Sequence, residues 1–231
     1  MIKKILYVLL SVILVLLVIV GRFFYKDANG QKYDIVVESE SIPQFMPTAF
    51  PFTHVHDGAK SLPLMASAAI DIDNDGIDEV YMGGGLRQSD VLLKYSDAGF
   101  TDITAASNLE SKGAFTTIAV ATADMDGNGF QDLVVSREDG LHFYYNTSGK
   151  FRHQKIVTPI NEKSTPAGIT LGDIDKDGDL DIFLSTYIKK ELMEGQTKFE
   201  DYGYGSTSEL LLNEGNEKFT SITTKAGLDY V

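Results

Sequence analysis

The sequence predicts an all-β fold: a partial β-propeller of about three four-stranded blades with acid-rich loops, preceded by an N-terminal hydrophobic helix. Three observations carry this. An acid-rich stretch of one design occurs three times, beginning at Asp71, Asp124 and Asp173. A second motif, F-T-x-[VI], recurs in step with it. Beyond the N-terminus no segment has the apolar period of a helix; short apolar runs are instead bounded by Asn, Asp, Ser and Gly.

The N-terminal element comes first. "MIKK" is followed by Ile5 to Val20, where only Ser11 is polar. At roughly 1.5 Å per residue, residues 5–24 span roughly 30 Å, one bilayer core. An uncleaved membrane anchor and a cleaved signal peptide both fit this pattern. No A-x-A-like site follows, and Phe23, Phe24 and Tyr25 suit a membrane interface. Either reading exports the rest, which is then membrane-anchored and extracytoplasmic, or secreted or periplasmic. Residues 1–25 are assigned to this element and the polar, proline-containing residues 26–50 to a linker. Residues 51–231 are assigned to the propeller segment.

That segment repeats with a period of about 50 residues. "DIDNDGIDEVYMG", "DMDGNGFQDLVVS" and "DIDKDGDLDIFLS" all read D-x-D-x-[DN]-G-x-x-[DE] before an apolar run. Each is preceded by a strand of small residues: "LMASAAI", "TIAVATA" and "AGITLG". Small side chains suit an inner strand packed close to the axis. Hairpin-like stretches follow: "VLLKYSDAGF", "HFYYNTSGKF" and "LLLNEGNEKF". "FTHVH" at Phe52, "FTDIT" at Phe100 and "FTSIT" at Phe219 share the second motif, and "FRHQK" at Phe151 is a weaker copy. The third unit is longer than the others, which predicts a surface insertion within residues 187–208. Three units are fewer than a propeller usually has, so the segment is expected to be part of a larger ring.

The formal net charge is −13 and there is no cysteine. A disulfide framework, a thiol nucleophile and a zinc knuckle are excluded. The acidic body argues against nucleic acid, which needs a basic face, and fits cationic partners. The loops give the specific form of that partner. Unit charges about 4 Å apart repel by about 4 kcal/mol at an effective dielectric near 20, so converging carboxylates call for a cation between them. Oxygen-only ligands with a permissive glycine select Ca²⁺ over Mg²⁺ and over softer metals. Up to three ions are expected.

An EF-hand is excluded. It needs a bidentate Glu at position 12, where these loops have Met82, Val135 and Leu184. Position 9 is acidic instead. The expected side-chain ligands are Asp71, Asp73, Asp75 and Glu79 in the first loop. They are Asp124, Asp126, Asn128 and Asp132 in the second, and Asp173, Asp175, Asp177 and Asp181 in the third. Position 7 is expected to offer its backbone carbonyl: Ile77, Phe130 and Asp179. Asn128 removes a charge, so the second loop should bind most weakly. Gly76, Gly129 and Gly178 are expected at positive φ.

These loops resemble the FG-GAP/VCBS-type repeats of integrin α-subunit propellers and of many bacterial exported proteins. "LLLNEGNEKFTSITTKAGL" is similar to strands of the ASPIC/UnbV and cartilage-acidic-protein-like group. The resemblance covers about residues 50–231. It implies a calcium-loaded propeller with more blades in full-length relatives, and roles in cell adhesion or in carbohydrate and protein binding.

Other features carry less. His54 and His56 share strand spacing but have no further ligands nearby. "GGG" at 83–85 opens no helix, which argues against a phosphate cradle. No G-x-S-x-G elbow occurs, and the strongest acid pairs are assigned to metal. "NTS" at Asn146 is a glycosylation sequon. In the insertion, Tyr202 and Tyr204 on a glycine-rich segment are candidate partner-binding residues. The expected function is a calcium-binding module for an unknown protein or glycan, without catalysis. The alternatives are a propeller-based enzyme (lyase, hydrolase or quinone-dependent) and a fragment of a larger propeller protein.

Overall fold

In the computed structural model the described residues are 14–18, 20, 48–55, 64–109, 115–156, 160, 164–189 and 208–229. The chain divides into two compact units, Met1–Pro47 and Thr48–Val231. In the first, residues 14–18 and 20 are helical. Among the described residues no helix is long and apolar enough to cross a membrane. Most of the expected 5–24 span and of the 26–50 linker lies outside the described residues.

The second unit is all-β. Its strands are β1 (Ser67–Ile70), β2 (Glu79–Met82), β3 (Val91–Ser96), β4 (Gly99–Asp102), β5 (Thr117–Ala123) and β6 (Asp132–Arg137). They continue as β7 (Gly140–Thr147), β8 (Lys150–Ile156), β9 (Ser164–Gly172), β10 (Asp181–Ile188), β11 (Glu209–Asn213) and β12 (Phe219–Ser221). They form three antiparallel sheets of four strands in chain order, β1–β4, β5–β8 and β9–β12. These are propeller-type blades, as the repeat predicts. The small-residue strand β5 neighbours both β1 and β9. These three are therefore the inner strands, where short side chains let the blades approach.

Alternation along each strand splits its side chains between two neighbours. Tyr81 and Leu92 of the first blade meet Leu133, Val135 and Tyr144 of the second in one buried cluster. Val134, Phe143 and Tyr145 point the other way and meet Ile182, Leu184 and Leu211 of the third. The cores thus lie between blades, and fully burying each such side chain is worth roughly 1.5–3 kcal/mol.

The glycine run at 83–85 serves this packing. A Cβ on Gly83 would stand 2.7 Å from Thr117 Cγ2 of the next blade, and one on Gly85 would stand 2.0 Å from the Val55 carbonyl oxygen. Gly84 accepts a hydrogen bond from Thr117 N at 2.9 Å. The run is a site of close backbone approach.

The F-T-x-I-T motif is a strand followed by a locked turn. Thr104 Oγ1 accepts the Leu92 N–H and Thr223 Oγ1 accepts the Leu210 N–H, both at 2.9 Å. The turns then close at Asn108 (φ 58) and Gly227 (φ 71). The earlier copy at Phe52 is not a strand. It docks beside the first blade through Gln88, which donates to Thr53 O and accepts from Val55 N. Strands β10 and β11 bracket the predicted insertion. Residues 190–207, with Tyr202 and Tyr204, lie outside the described residues, as does His56.

Candidate metal centres

Each acidic loop joins the inner strand of a blade to its second strand. Position 1 directly follows the inner strand and folds back on the loop. Asp71 accepts the N–H groups of Asp75 (3.1 Å) and Gly76 (2.9 Å). Asp124 does the same for Asn128 (3.0 Å) and Gly129 (2.8 Å). Asp173 accepts from Lys176 (2.7 Å) and Gly178 (3.3 Å). The expected left-handed glycines are present, with Gly76 at φ 82, Gly129 at φ 88 and Gly178 at φ 100. Position 4 is left-handed too, at Asn74 (φ 58), Gly127 (φ 72) and Lys176 (φ 67). Sequence reasoning missed this, although Asn and Gly at that position in two loops were a usable signal.

Positions 1, 3 and 9 converge in all three loops. Asp71, Asp73 and Glu79 form one triad, Asp124, Asp126 and Asp132 a second, and Asp173, Asp175 and Asp181 a third. Within each, one carboxylate oxygen from every residue lies within 4.8 Å of the others. Asp75 and Asp177 are not part of these triads. Their Oδ1 atoms accept the position-7 N–H groups, of Ile77 at 2.8 Å and Asp179 at 2.9 Å. Asn128 Oδ1 does likewise for Phe130.

The position-9 acids begin the second strand and are fully buried: Glu79, Asp132 and Asp181 are each 0% exposed. One oxygen of each accepts the position-2 N–H, from Ile72 (3.2 Å), Met125 (2.8 Å) and Ile174 (2.7 Å). In the second and third loops the other oxygen accepts a third-strand N–H, of Asn146 (2.7 Å) and Asn213 (2.9 Å). In the first loop Glu79 Oε1 instead meets Lys94 Nζ at 2.7 Å, as an ion pair and not as an aligned hydrogen bond.

The electrostatics follow. Burial pushes Asp132 up to about 6, against the hydrogen bonds from Asn146 and Met125 that favour its anion. Asp126 is also raised, by desolvation first and by Asp124 among the rest. Asp175 is raised by desolvation and by Asp177 beside it. These loops hold more negative charge than their surroundings neutralise. Asp75 is shifted the other way, because Lys94 sits against it. An oxygen-only donor set with a buried acid and excess negative charge fits a hard divalent cation in the second and third loops.

Asparagine side chains lock the first and second loops to the next blade. Asn146 Nδ2 donates to Ile72 O at 2.9 Å and to Gln131 O at 3.0 Å, and its Oδ1 accepts from Gly149 N at 2.9 Å. Asn213 Nδ2 donates to Met125 O and Leu180 O, both at 3.3 Å. Ile72 and Met125 are consequently buried, while Ile174 is 48% exposed. The asparagine of the "NTS" sequon is thus a structural residue in the folded chain, 0% exposed and with both amide hydrogens donated.

Arg137 of the second blade makes a buried ion pair with Asp90 of the first. Asp90 also accepts from Tyr81 Oη (2.7 Å), Gly84 N (2.8 Å) and Thr117 Oγ1 (2.7 Å). Burial opposes the guanidinium charge, but Asp90, Tyr144 and Tyr81 together more than offset this and Arg137 is held above its usual range.

Three meandering four-stranded sheets, each with an acid triad between its first two strands, define an acidic-loop type of propeller repeat. A profile of the FG-GAP-like repeat family matches residues 71–135 and 124–184, and the chain is an FG-GAP-type repeat protein. No curated protein matches the chain.

Proposed function

We propose that this protein is an exported, calcium-binding repeat module that binds a protein or glycan partner and performs no catalysis. The observation that carries the calcium reading is the convergence of positions 1, 3 and 9, each time with a fully buried position-9 acid. A carboxylate in that setting is unfavourable alone and favourable beside a cation. Calcium there would be structural, fixing the turn between the first two strands of a blade. The basic start and apolar run of residues 1–20 support export, with tethering through residues 5–24 unless they are cleaved. Recognition is assigned to loops, with Tyr202 and Tyr204 of the insertion as the leading candidates.

A ligand that binds the native state raises its stability by RT ln(1 + [L]/Kd). The full-length protein in detergent should melt at a clearly higher temperature in millimolar Ca²⁺ than in chelator. It should also retain calcium on elemental analysis after desalting. Identical melts without bound calcium would reject the metal reading. A glycan array and a surface-protein binding screen test recognition, with deletion of residues 189–207 expected to abolish binding while calcium loading persists.

A further inference from the structure

We infer that the first acidic loop is closed by the chain's own ammonium group: Lys94 Nζ occupies the place that a divalent ion takes in the second and third loops. This rests on the calcium reading of those two loops and changes its stoichiometry from three ions to two.

Sheet register identifies the position. Val80, Leu133 and Ile182 each follow the position-9 acid and pair with Leu93, Tyr144 and Leu211. The next residue on the third strand is Lys94, Tyr145 or Leu212. Only the first blade therefore has a base at this position. Lys94 Nζ stands 3.2 Å from Asp73, 2.9 Å from Asp75 and 2.7 Å from Glu79. A calcium ion needs its oxygens at roughly 2.3–2.6 Å from one point. The ammonium already sits within ion-pair distance of three carboxylate oxygens of this loop.

A second difference in the same loop matches the first. Position 9 is Asp in the other loops, and both of its oxygens accept backbone N–H groups there. In the first loop it is Glu, one methylene longer. Glu79 keeps the Ile72 N–H on Oε2 and turns Oε1 to Lys94. The longer acid and the lysine fit each other, and together they convert a metal loop into an internal salt-bridge loop. Being covalently attached, the lysine is always present at the site, so the first blade keeps its loop closed when calcium is scarce.

The test counts calcium bound per full-length chain by calorimetry and elemental analysis, and records melts in chelator. Wild type should bind two ions and Lys94→Met three. Asp73→Asn should leave the wild-type count at two, whereas Asp175→Asn should reduce it to one. In chelator Lys94→Met should melt several degrees below wild type, with calcium restoring the midpoint. Three ions on wild type would overturn the lysine assignment and leave the calcium reading standing. If no variant binds calcium, the calcium reading fails and the chelator melt alone decides the lysine. A lower midpoint for Lys94→Met then sustains it as the loop's counter-ion, and equal midpoints overturn it.

Discussion

The side-chain amide of Asn146, in the second blade, donates to the backbone carbonyl of Ile72, in the acidic loop of the first, at 2.9 Å. Asn146→Ala removes this bond and those to Gln131 O and Gly149 N, stranding the buried Ile72 carbonyl and two part-buried backbone groups. Each such group costs roughly 1–3 kcal/mol, so a loss of about 3 kcal/mol is expected in urea unfolding. Asn213→Ala should cost less, because its donor bonds are longer, at 3.3 Å.

The Arg137–Asp90 pair predicts strong coupling between two blades. Arg137→Met takes the guanidinium away from the buried Asp90 carboxylate, and breaking such a pair typically costs about 3–5 kcal/mol. Asp90→Asn in the same background should recover part of that. A double-mutant cycle measures the coupling, and additive single effects would contradict the role given to the pair.

Position 3 separates metal binding from folding. Asp175 is exposed and belongs to the third triad. Asp175→Asn should change stability in chelator by no more than about 0.5 kcal/mol, as surface substitutions do. It should reduce the calcium-induced rise in melting temperature, because ligand charge sets affinity in such loops. A full calcium response in this variant would remove Asp175 from the ligand set.

Asp132 sets the pH dependence. Its folded-state pKa is raised from 3.8 to about 6, so in chelator it stabilises the fold fully below pH 3.8. That contribution is lost as pH rises through about 6. Calcium requires the anion and reverses the penalty above that range. The difference between melts in calcium and in chelator should therefore widen from pH 5 to pH 7. A difference independent of pH would separate Asp132 from the metal.

The acid loops, the inner small-residue strands and the hairpins were legible because each is a local pattern with a local cause. Carboxylates at alternate positions, a glycine at positive φ and an apolar run need no knowledge of the neighbouring blade. Asn146, Asn213 and Lys94 escaped because their partners lie elsewhere in the chain. The signal was nonetheless present in "FYYNTSGKF", "LLLNEGNEKF" and "VLLKYSDAGF". Aligned by the strands that precede them, the first two place Asn where the third has Tyr95, and the third alone has a lysine before it. The glycine run at 83–85 is plain in the sequence, where it opens no helix. Its actual cause, contact with Thr117 and Val55, could be seen only in three dimensions.

The asparagine contacts give the row of blades a direction. The second blade offers a loop carbonyl to the third and an amide donor to the first, whereas the first blade has Tyr95 in place of the donor, so moving the first blade behind another would leave a loop carbonyl without its amide. The segment that must be inherited intact is then not a sheet. It begins at one acidic loop and ends in the hairpin of the following blade, straddling two sheets. A duplication cut at sheet boundaries would copy a foldable meander yet sever the hydrogen bond that fixes its neighbour. One cut from loop to loop would carry the joint along with the parts it joins.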